Sequence, residues 1–430
     1  MPKIKEEEYI ISESQEIALT QNPLISTFFQ AFPALKHRNY RFYFIGQLLS
    51  LVGTWIQIVA LGWLMFQLTK SAFMVGLVSS FGSLPVLIFG LFGGVIVDRF
   101  AKKKVLIFTQ ISSMILAFVL GFLTLSGVIT VPQIIILAFL AGLISAIDMP
   151  ARHAFVIEMV GKKEMASAIA LNAGAFSGAR VIGPAMAGAI IATMGEGVGF
   201  VLNGFSFIPF AIVLFLIFVK PIVPNLSLHP LKAIKHGIAY SFSHASIKML
   251  LVFVAVTSIF GWSYSTILPV IAEKIFHAGA SGFGYMYASG GLGAVFATIL
   301  VSAYSKKVNP AVFIFGGSFL FSIALFLFTL TSSIQLAFVF LFLVGFGLTM
   351  KFVTINSTIQ HMVDNSLRGR VMSIYTLMFL GMSPIGSFQI GFFAEHFGSL
   401  FAIRLGAIIV FLFALLFYFN RKKIIQPLVF

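Results

Sequence analysis

The 430-residue chain has no cysteine, so neither a disulfide framework nor a Cys-ligated metal is open to it. Charge is scarce as well. Only 10% of residues are Asp, Glu, Lys or Arg, and acids are the rarer sign, 13 against 28 bases. With 59% hydrophobic residues, too little polar surface remains to cover a soluble particle of this length. The eight His are scattered without metal-ligand spacing, and a nucleophile elbow, a Gly-rich phosphate loop and a Walker sequence are all missing. Those absences argue against an enzyme, an ATP-driven pump, and any cofactor or metal. No pore-filter segment argues for a channel; a non-transporting membrane receptor stays as a remote alternative.

What the sequence does contain is long apolar runs. Runs of roughly 20 residues, enough to cross the hydrocarbon of a bilayer, number twelve. They lie at 42–68, 73–97, 105–126, 132–151, 164–193, 198–219, 248–270, 280–304, 309–331, 333–355, 371–394 and 399–419. Unpaired backbone groups are not tolerated in lipid, and these runs are too long and uniform for barrel strands, so all are expected to be helices. Five of the 28 basic residues escape one side of this arrangement: Lys70 and Lys274 in opposite connections, and Arg180, Lys351 and Arg404 within spans. The bias predicts that both termini are cytoplasmic, in a multi-pass membrane protein. It also accounts for the net charge of +15 without nucleic acid.

The expected organisation is a tail and interfacial segment over 1–40, a six-helix bundle over 41–219, a cytoplasmic linker over 220–247, a second six-helix bundle over 248–420 and a short tail over 421–430. The stretch from Leu24 to Tyr43 carries Phe28, Phe29 and Phe32 before a basic group, and is expected to lie at the lipid surface. The two halves echo one another. GLISAIDMPARHAFVIEMV (142–160) aligns with GFGLTMKFVTINSTIQHMV (345–363), and Gly183-Pro184 precedes Ser383-Pro384 in order. Such echoes predict two pseudo-symmetric bundles about an axis along the membrane normal.

GGVIVDRFAKKK (93–104) interrupts the apolar pattern at the end of the second span. Its Gly94, Asp98, Arg99, Lys102 and Lys103 resemble motif A of the major facilitator superfamily, with Ala101 where that pattern has a second glycine. The resemblance implies a latch that closes the cytoplasmic side in the outward-open state; simple topological anchoring is the plainer reading of the lysines. In the fifth span, ARVIGPAMAG resembles the antiporter motif of exporters in that superfamily at Gly183, Pro184 and Gly188. The wider run from ALKHRNYRFYFIGQLLSLVGTWIQ to ARVIGP resembles the branch called transmembrane secretion effectors, which includes enterobactin exporters. That resemblance implies export from the bacterial cytoplasm, across the inner membrane, by a monomer.

Candidate cavity residues come from periodicity. Gln47, Ser50, Thr54 and Gln57 share one face of the first span, and Ser258, Trp262 and Ser265 one face of the seventh, so each stripe faces either a central cavity or neighbouring helices. Charges inside spans are costly in lipid, hence informative. Arg180 lies too deep to snorkel and is a candidate for attracting an anionic substrate or for neutralising a helix terminus. Asp148 is the carboxylate inside a span, a candidate for proton coupling or for a structural pair with Arg152, and it joins Arg152 in the expected cytoplasmic gate. Lys351 falls at the repeat-equivalent of Asp148, a placement that would let the two meet across the bundles. Glu395 and Arg404 sit near the outer ends of their spans, as interfacial residues or an outer gate. The expectation is a secondary transporter exporting a small organic molecule by alternating access and proton antiport; proton-coupled import is the alternative.

Overall fold

The computed structural model describes residues 32–219 and 230–420, without the side chains at 91–96, 98, 162, 230–236, 365 and 366. The N-terminal tail to residue 31, the linker at 220–229 and the tail 421–430 lie outside the described residues. Among those described, all regular structure is helical. Twelve helices are long and apolar enough to cross a membrane: α1 Arg38–Thr69, α2 Ala72–Arg99, α3 Lys102–Leu125, α4 Val131–Gly161, α5 Lys163–Met194, α6 Glu196–Leu216, α7 Ala245–Lys274, α8 Gly279–Tyr304, α9 Pro310–Phe328, α10 Ile334–Met362, α11 Leu367–Phe397 and α12 Ser399–Phe419. A further helix, Pro230–Ser243, ends the linker.

Each expected span corresponds to one of these helices. Some run past their apolar run, as α4 does to Gly161 and α10 to Met362, because hydrophobicity marks where lipid ends, not where helical hydrogen bonding does. Their starts are capped locally. Ser71 accepts the Met74 N–H at 3.3 Å, and Thr130 with Gln133 forms a capping box at α4. Between α4 and α5 there is no loop: Gly161, at φ 70°, turns the chain in a left-handed conformation that a side chain disfavours.

Of the stretch expected at the lipid surface, residues 24–31, with Phe28 and Phe29, lie outside the described residues, and the rest is partly packed on the first bundle. Pro33–Lys36 form a 3₁₀ turn, Ala34 and Tyr40 are fully buried, the Ala34 N–H donates to Ser167 Oγ at 3.2 Å, and the Tyr40 hydroxyl donates to the Ala168 carbonyl at 3.0 Å. This part of the stretch packs on α5, since buried tyrosines need partners for their hydroxyls that hydrocarbon does not supply.

Helices α1–α6 pack as one bundle and α7–α12 as the other, joined chiefly along two seams, α5 against α8 and α2 against α11. At each seam two glycines face one another. A Cβ on Gly188 would stand 3.0 Å from the Ala280 carbonyl and 3.1 Å from Gly284 Cα; one on Gly76 would stand 2.8 Å from Gly391 Cα. The backbones therefore touch, as small residues allow between membrane helices. Both glycine pairs lie towards the end of the molecule opposite the lysine-rich turn at 102–104, here called the far end and the basic end.

Two helices of the second bundle are interrupted. In α7 the α-helix gives way to a wide π turn at Thr257–Gly261 and then to a 3₁₀ stretch, Trp262–Ile267; α11 has a π turn at Leu377–Gly381. The Ile259 carbonyl in the α7 turn accepts from Ser263 Oγ at 2.8 Å and from Gln389 Nε2 at 3.1 Å. Such turns recur at functional sites, because they reset the direction of the side chains that follow.

Candidate functional site

One face of α5 records how the bundles separate. At steps of three or four residues, Ala166, Ala170 and Ala173 are exposed, Ser177 is half-buried, and Arg180, Pro184 and Gly188 are buried. The corresponding face of α11 repeats the gradient, with Gly369, Ser373 and Thr376 exposed, Leu380 half-buried, and Pro384, Ser387 and Gly391 buried. A helix face that is covered at one end and bare at the other belongs to two bodies that meet there and diverge. The cleft between the bundles thus opens at the basic end and is shut at the far end.

Arg180 sits at the closed apex of this cleft. It is only 6% exposed, its Cζ lies 4.5 Å from the ring centroid of Trp262 on the opposite bundle, and its Nε is buried without a hydrogen-bond partner. The ion pairs found among the described residues are His37 with Glu164, Lys102 with Glu158, and Arg152 with Asp148, and none includes Arg180. Trp262 is in turn backed by Phe379 at 5.6 Å and Phe352 at 6.4 Å. Nearby, Trp55 meets Phe176 on α5 and Tyr287 on α8, each at 5.7 Å. An unpaired cation at this depth costs a few kcal/mol, of which a ring face returns about 2. The planar guanidinium fork is suited to a carboxylate or another bidentate anion.

The polar stripes are placed differently from the Arg180 site. Ser50 Oγ donates to Gln110 Oε1 at 3.4 Å, Thr54 Oγ1 donates to its own helix at the Ser50 carbonyl at 2.8 Å, and Gln57 Oε1 accepts from Asn203 Nδ2 at 2.6 Å. These three are engaged within the first bundle, and Gln47 is buried there with an unpartnered Oε1. In α7, Ser258 is buried with an unpartnered hydroxyl, and Ser265 Oγ donates to the Trp262 carbonyl at 3.0 Å. Trp262 is the member of that stripe that meets the other bundle. Of the two readings of these stripes, helix-to-helix hydrogen bonding describes Ser50 and Gln57.

Asp148 is the centre of a network. Its Oδ1 accepts from Thr109 Oγ1 at 2.6 Å and from Gln110 Nε2 at 2.8 Å, and its Oδ2 accepts from Arg152 Nε. The Arg152 guanidinium also lies 4.7 Å from the Phe210 ring. Every partner belongs to the first bundle. The expected meeting with Lys351 does not occur: Lys351 Nζ donates to Thr257 Oγ1 of α7 and sits against the Phe253 ring. Equivalent positions in two repeats each face the core of their own bundle, so repeat symmetry keeps this pair apart.

At the basic end, Lys102 is buried beside Glu158 at 3.8 Å, and Lys103 Nζ donates to the carbonyls of Phe215 and Ile217 at 3.1 and 2.7 Å, at the C-terminus of α6. A cation is favoured at that pole of a helix. Arg99 is exposed; positions 94 and 98 are described by their backbone alone, within α2. Gly183 faces α1, where an added Cβ would come within 2.9 Å of the Val52 carbonyl, whereas Pro184 and Gly188 face α8. At the far end, the Glu395 carboxylate accepts from Ser71 Oγ at 3.0 Å and from the Phe73 N–H at 3.1 Å, across the two bundles. Arg404 donates to Thr329 Oγ1 and its carbonyl at 2.9 and 3.0 Å, closing the end of α9 within its own bundle.

Sequence reasoning missed Trp55, Phe176, Tyr287 and the glycine pairs. The run GASGFGYMYASGGLGA at the start of α8 carried the signal for Gly284, since spaced small residues announce a close helix crossing. The aromatic residues carry no such signal in a chain with 51 Phe.

A family model described as transmembrane secretion effector matches residues 29–426. The staphyloferrin A transporter of Staphylococcus aureus (strain NCTC 8325 / PS 47) is 28% identical over 89% of this chain and 96% of its own length. The enterobactin exporter EntS of Escherichia coli O1:K1 / APEC is 21% identical over 83% and 85%. Among solved structures, a bacterial homologue of the human lysosomal transporter Spinster, in an inward-facing and unoccupied conformation, shares the fold with a TM-score of 0.74, at 12% identity over 90% of this chain and 98% of the other.

Proposed function

Because the chain belongs to the transmembrane secretion effectors, transporters of the major facilitator superfamily, we propose that it exports a small anionic, siderophore-like metabolite from the cytoplasm by alternating access, driven by proton antiport. The basic end is the cytoplasmic face in this reading, by the bias of Lys and Arg, and both termini lie there, in the cytoplasmic membrane of a bacterium. The structure then corresponds to the inward-facing state of a monomeric unit. Cargo enters between α5 and α11.

The observation that carries the reading is Arg180, a buried guanidinium with an unpartnered Nε at the apex of a cleft open to one side. An anionic group of the cargo pairs with the free fork, and Trp262, Phe176 and Tyr287 offer ring faces to the rest of it. Closure of the basic end around the loaded site, with release of the far-end seams, moves the cargo outward. Asp98 and Arg99 serve as the latch of that outward-open state, following the family motif; here, with the basic end open, Arg99 is exposed. The named substrates of the two relatives, staphyloferrin A and enterobactin, make siderophores the first class to screen.

The test is accumulation in energised inverted membrane vesicles, with siderophore-like acids against lipophilic cations, with and without a proton uncoupler. Uncoupler-sensitive uptake of acids is expected in the wild type. Arg180→Gln should weaken their apparent affinity by about tenfold or more, as loss of one partner of a buried charge pair does, and leave cations unaffected. Uptake confined to right-side-out vesicles would establish import instead.

A further inference from the structure

Lys351 is fully buried in α10 and has no acidic partner among the described residues. Its Nζ donates to Thr257 Oγ1, and the Thr257 hydroxyl passes its own hydrogen to the Phe253 carbonyl at 2.8 Å. The same Nζ lies 3.5 Å from the Phe253 ring centroid and 5.7 Å from that of Phe352. The surrounding helices bring little that titrates. From α9 comes the Gly317 backbone, beside which α10 runs in close contact; from α12 comes Phe417, packed on Phe253 at 5.1 Å; from α11 comes Tyr375, whose hydroxyl donates to the Phe352 carbonyl at 3.1 Å. Across the cleft, Arg180 lies against Trp262, whose ring meets that of Phe352. The C-terminal half holds three carboxylates in all, Glu273, Asp364 and Glu395, and each lies at a helix end.

This environment differs from that of Asp148, the other candidate for proton coupling. Asp148 is tied by the Thr109 hydroxyl, the Gln110 amide and the Arg152 guanidinium, so its carboxylate already has a hydrogen-bonded counter-charge within its own bundle. Lys351 has one hydroxyl and a ring face. No anion locks its charged form, and the ring face softens the burial of that form, so the amine is free to exchange a proton when its surroundings change. Its single polar partner is the first residue of the π turn that redirects α7 into Trp262, the platform under Arg180.

We propose that Lys351 is the proton-carrying group of the transport cycle, its protonation being read by the α7 π turn through Thr257 and relayed to Trp262. One proton is bound (R–NH2 + H+ → R–NH3+) from the outer side when the cleft opens there, and the same proton is returned to the cytoplasm in the inward-facing state. The inference deepens the transporter reading and rests on it. It moves coupling away from Asp148.

The experiment needs no cargo. Spin labels on cysteines introduced at Ala170 and Ser373, on the exposed faces of α5 and α11 at the cleft mouth of a chain without cysteine, report the open and closed populations by pulsed electron resonance in liposomes across pH. In the wild type the ratio should change with pH, by up to about tenfold per unit for one linked proton. Lys351→Met should abolish the dependence, Lys351→Arg, permanently charged, should hold one population at all pH, and Asp148→Asn should keep the wild-type slope. Thr257→Val, which leaves the amine in place, should shift the midpoint; it decides the matter if the Lys351 variants do not fold. A wild-type ratio independent of pH, a Lys351→Met ratio that still follows pH, or an unmoved midpoint in Thr257→Val overturns the proposal. Failure of the vesicle assay with the pH response intact rejects the export reading alone, and uncoupler-sensitive accumulation persisting in Lys351→Met rejects Lys351 alone.

Discussion

The Glu395 carboxylate of the second bundle caps the first turn of α2 in the other, accepting a hydrogen bond from Ser71 Oγ at 3.0 Å. A few residues away, Lys274 donates to the Lys70 carbonyl just beyond the C-terminus of α1, at 3.1 Å. The acid meets the positive pole of one helix and the base the negative pole of another, so both contacts favour a closed far end.

Replacing Glu395 by Gln keeps the size and removes the charge. The charge-to-dipole contribution of about 0.3–1 kcal/mol is lost, which lowers the population of the far-end-closed state by a factor of about two to five. Double electron resonance between labels on the two bundles at that end should show the longer distance gaining weight. An unchanged distribution would mean that the glycine seams alone hold this end shut.

Gly188→Leu forces a side chain into the space between α5 and the Ala280 and Gly284 backbone. Overpacking of this kind costs about 1–3 kcal/mol, and the protein can relieve it by parting the seam. The labels at the cleft mouth should move closer together as the far end opens. Gly178→Ala is the control, because nothing stands within 4 Å of a Cβ there. If both variants behave alike, the seam is not what sets the access state.

Asp148→Asn leaves the half-buried Arg152 without its counter-charge; removal of one member of a fully buried pair costs about 3–5 kcal/mol, and partial exposure brings this one to the lower end. A marked fall in the thermal unfolding midpoint in detergent is expected, with most of it recovered when Arg152 is replaced by Leu in an Asp148→Leu background. A single variant as stable as the wild type would sink the structural reading of this pair.

Much of the fold was legible because a bilayer imposes local rules. Runs such as 309–331 and 399–419 can be only transmembrane helices, whatever else the chain does. The candidate charges were legible for the same reason: Arg180 and Lys351 stand out against hydrocarbon without any knowledge of neighbours. What those charges touch was less accessible. The stripe containing Ser50 and Gln57 satisfies the sequence criterion for a cavity, yet its hydrogen bonds go to Gln110 and Asn203, because periodicity identifies a polar face and not what lies opposite it.

By itself the sequence determined twelve apolar helices, two related halves and a basic bias at one end, since each of these depends on length, composition or order within a segment. The tertiary structure decided which end of the cleft is open, that Arg180 rests on Trp262 and not on an acid, and that Asp148 and Lys351 each remain in their own bundle. Those outcomes depend on contacts between helices far apart in the chain. A glycine at 188 acquires its meaning from a glycine at 284, and a lysine at 351 from a threonine at 257.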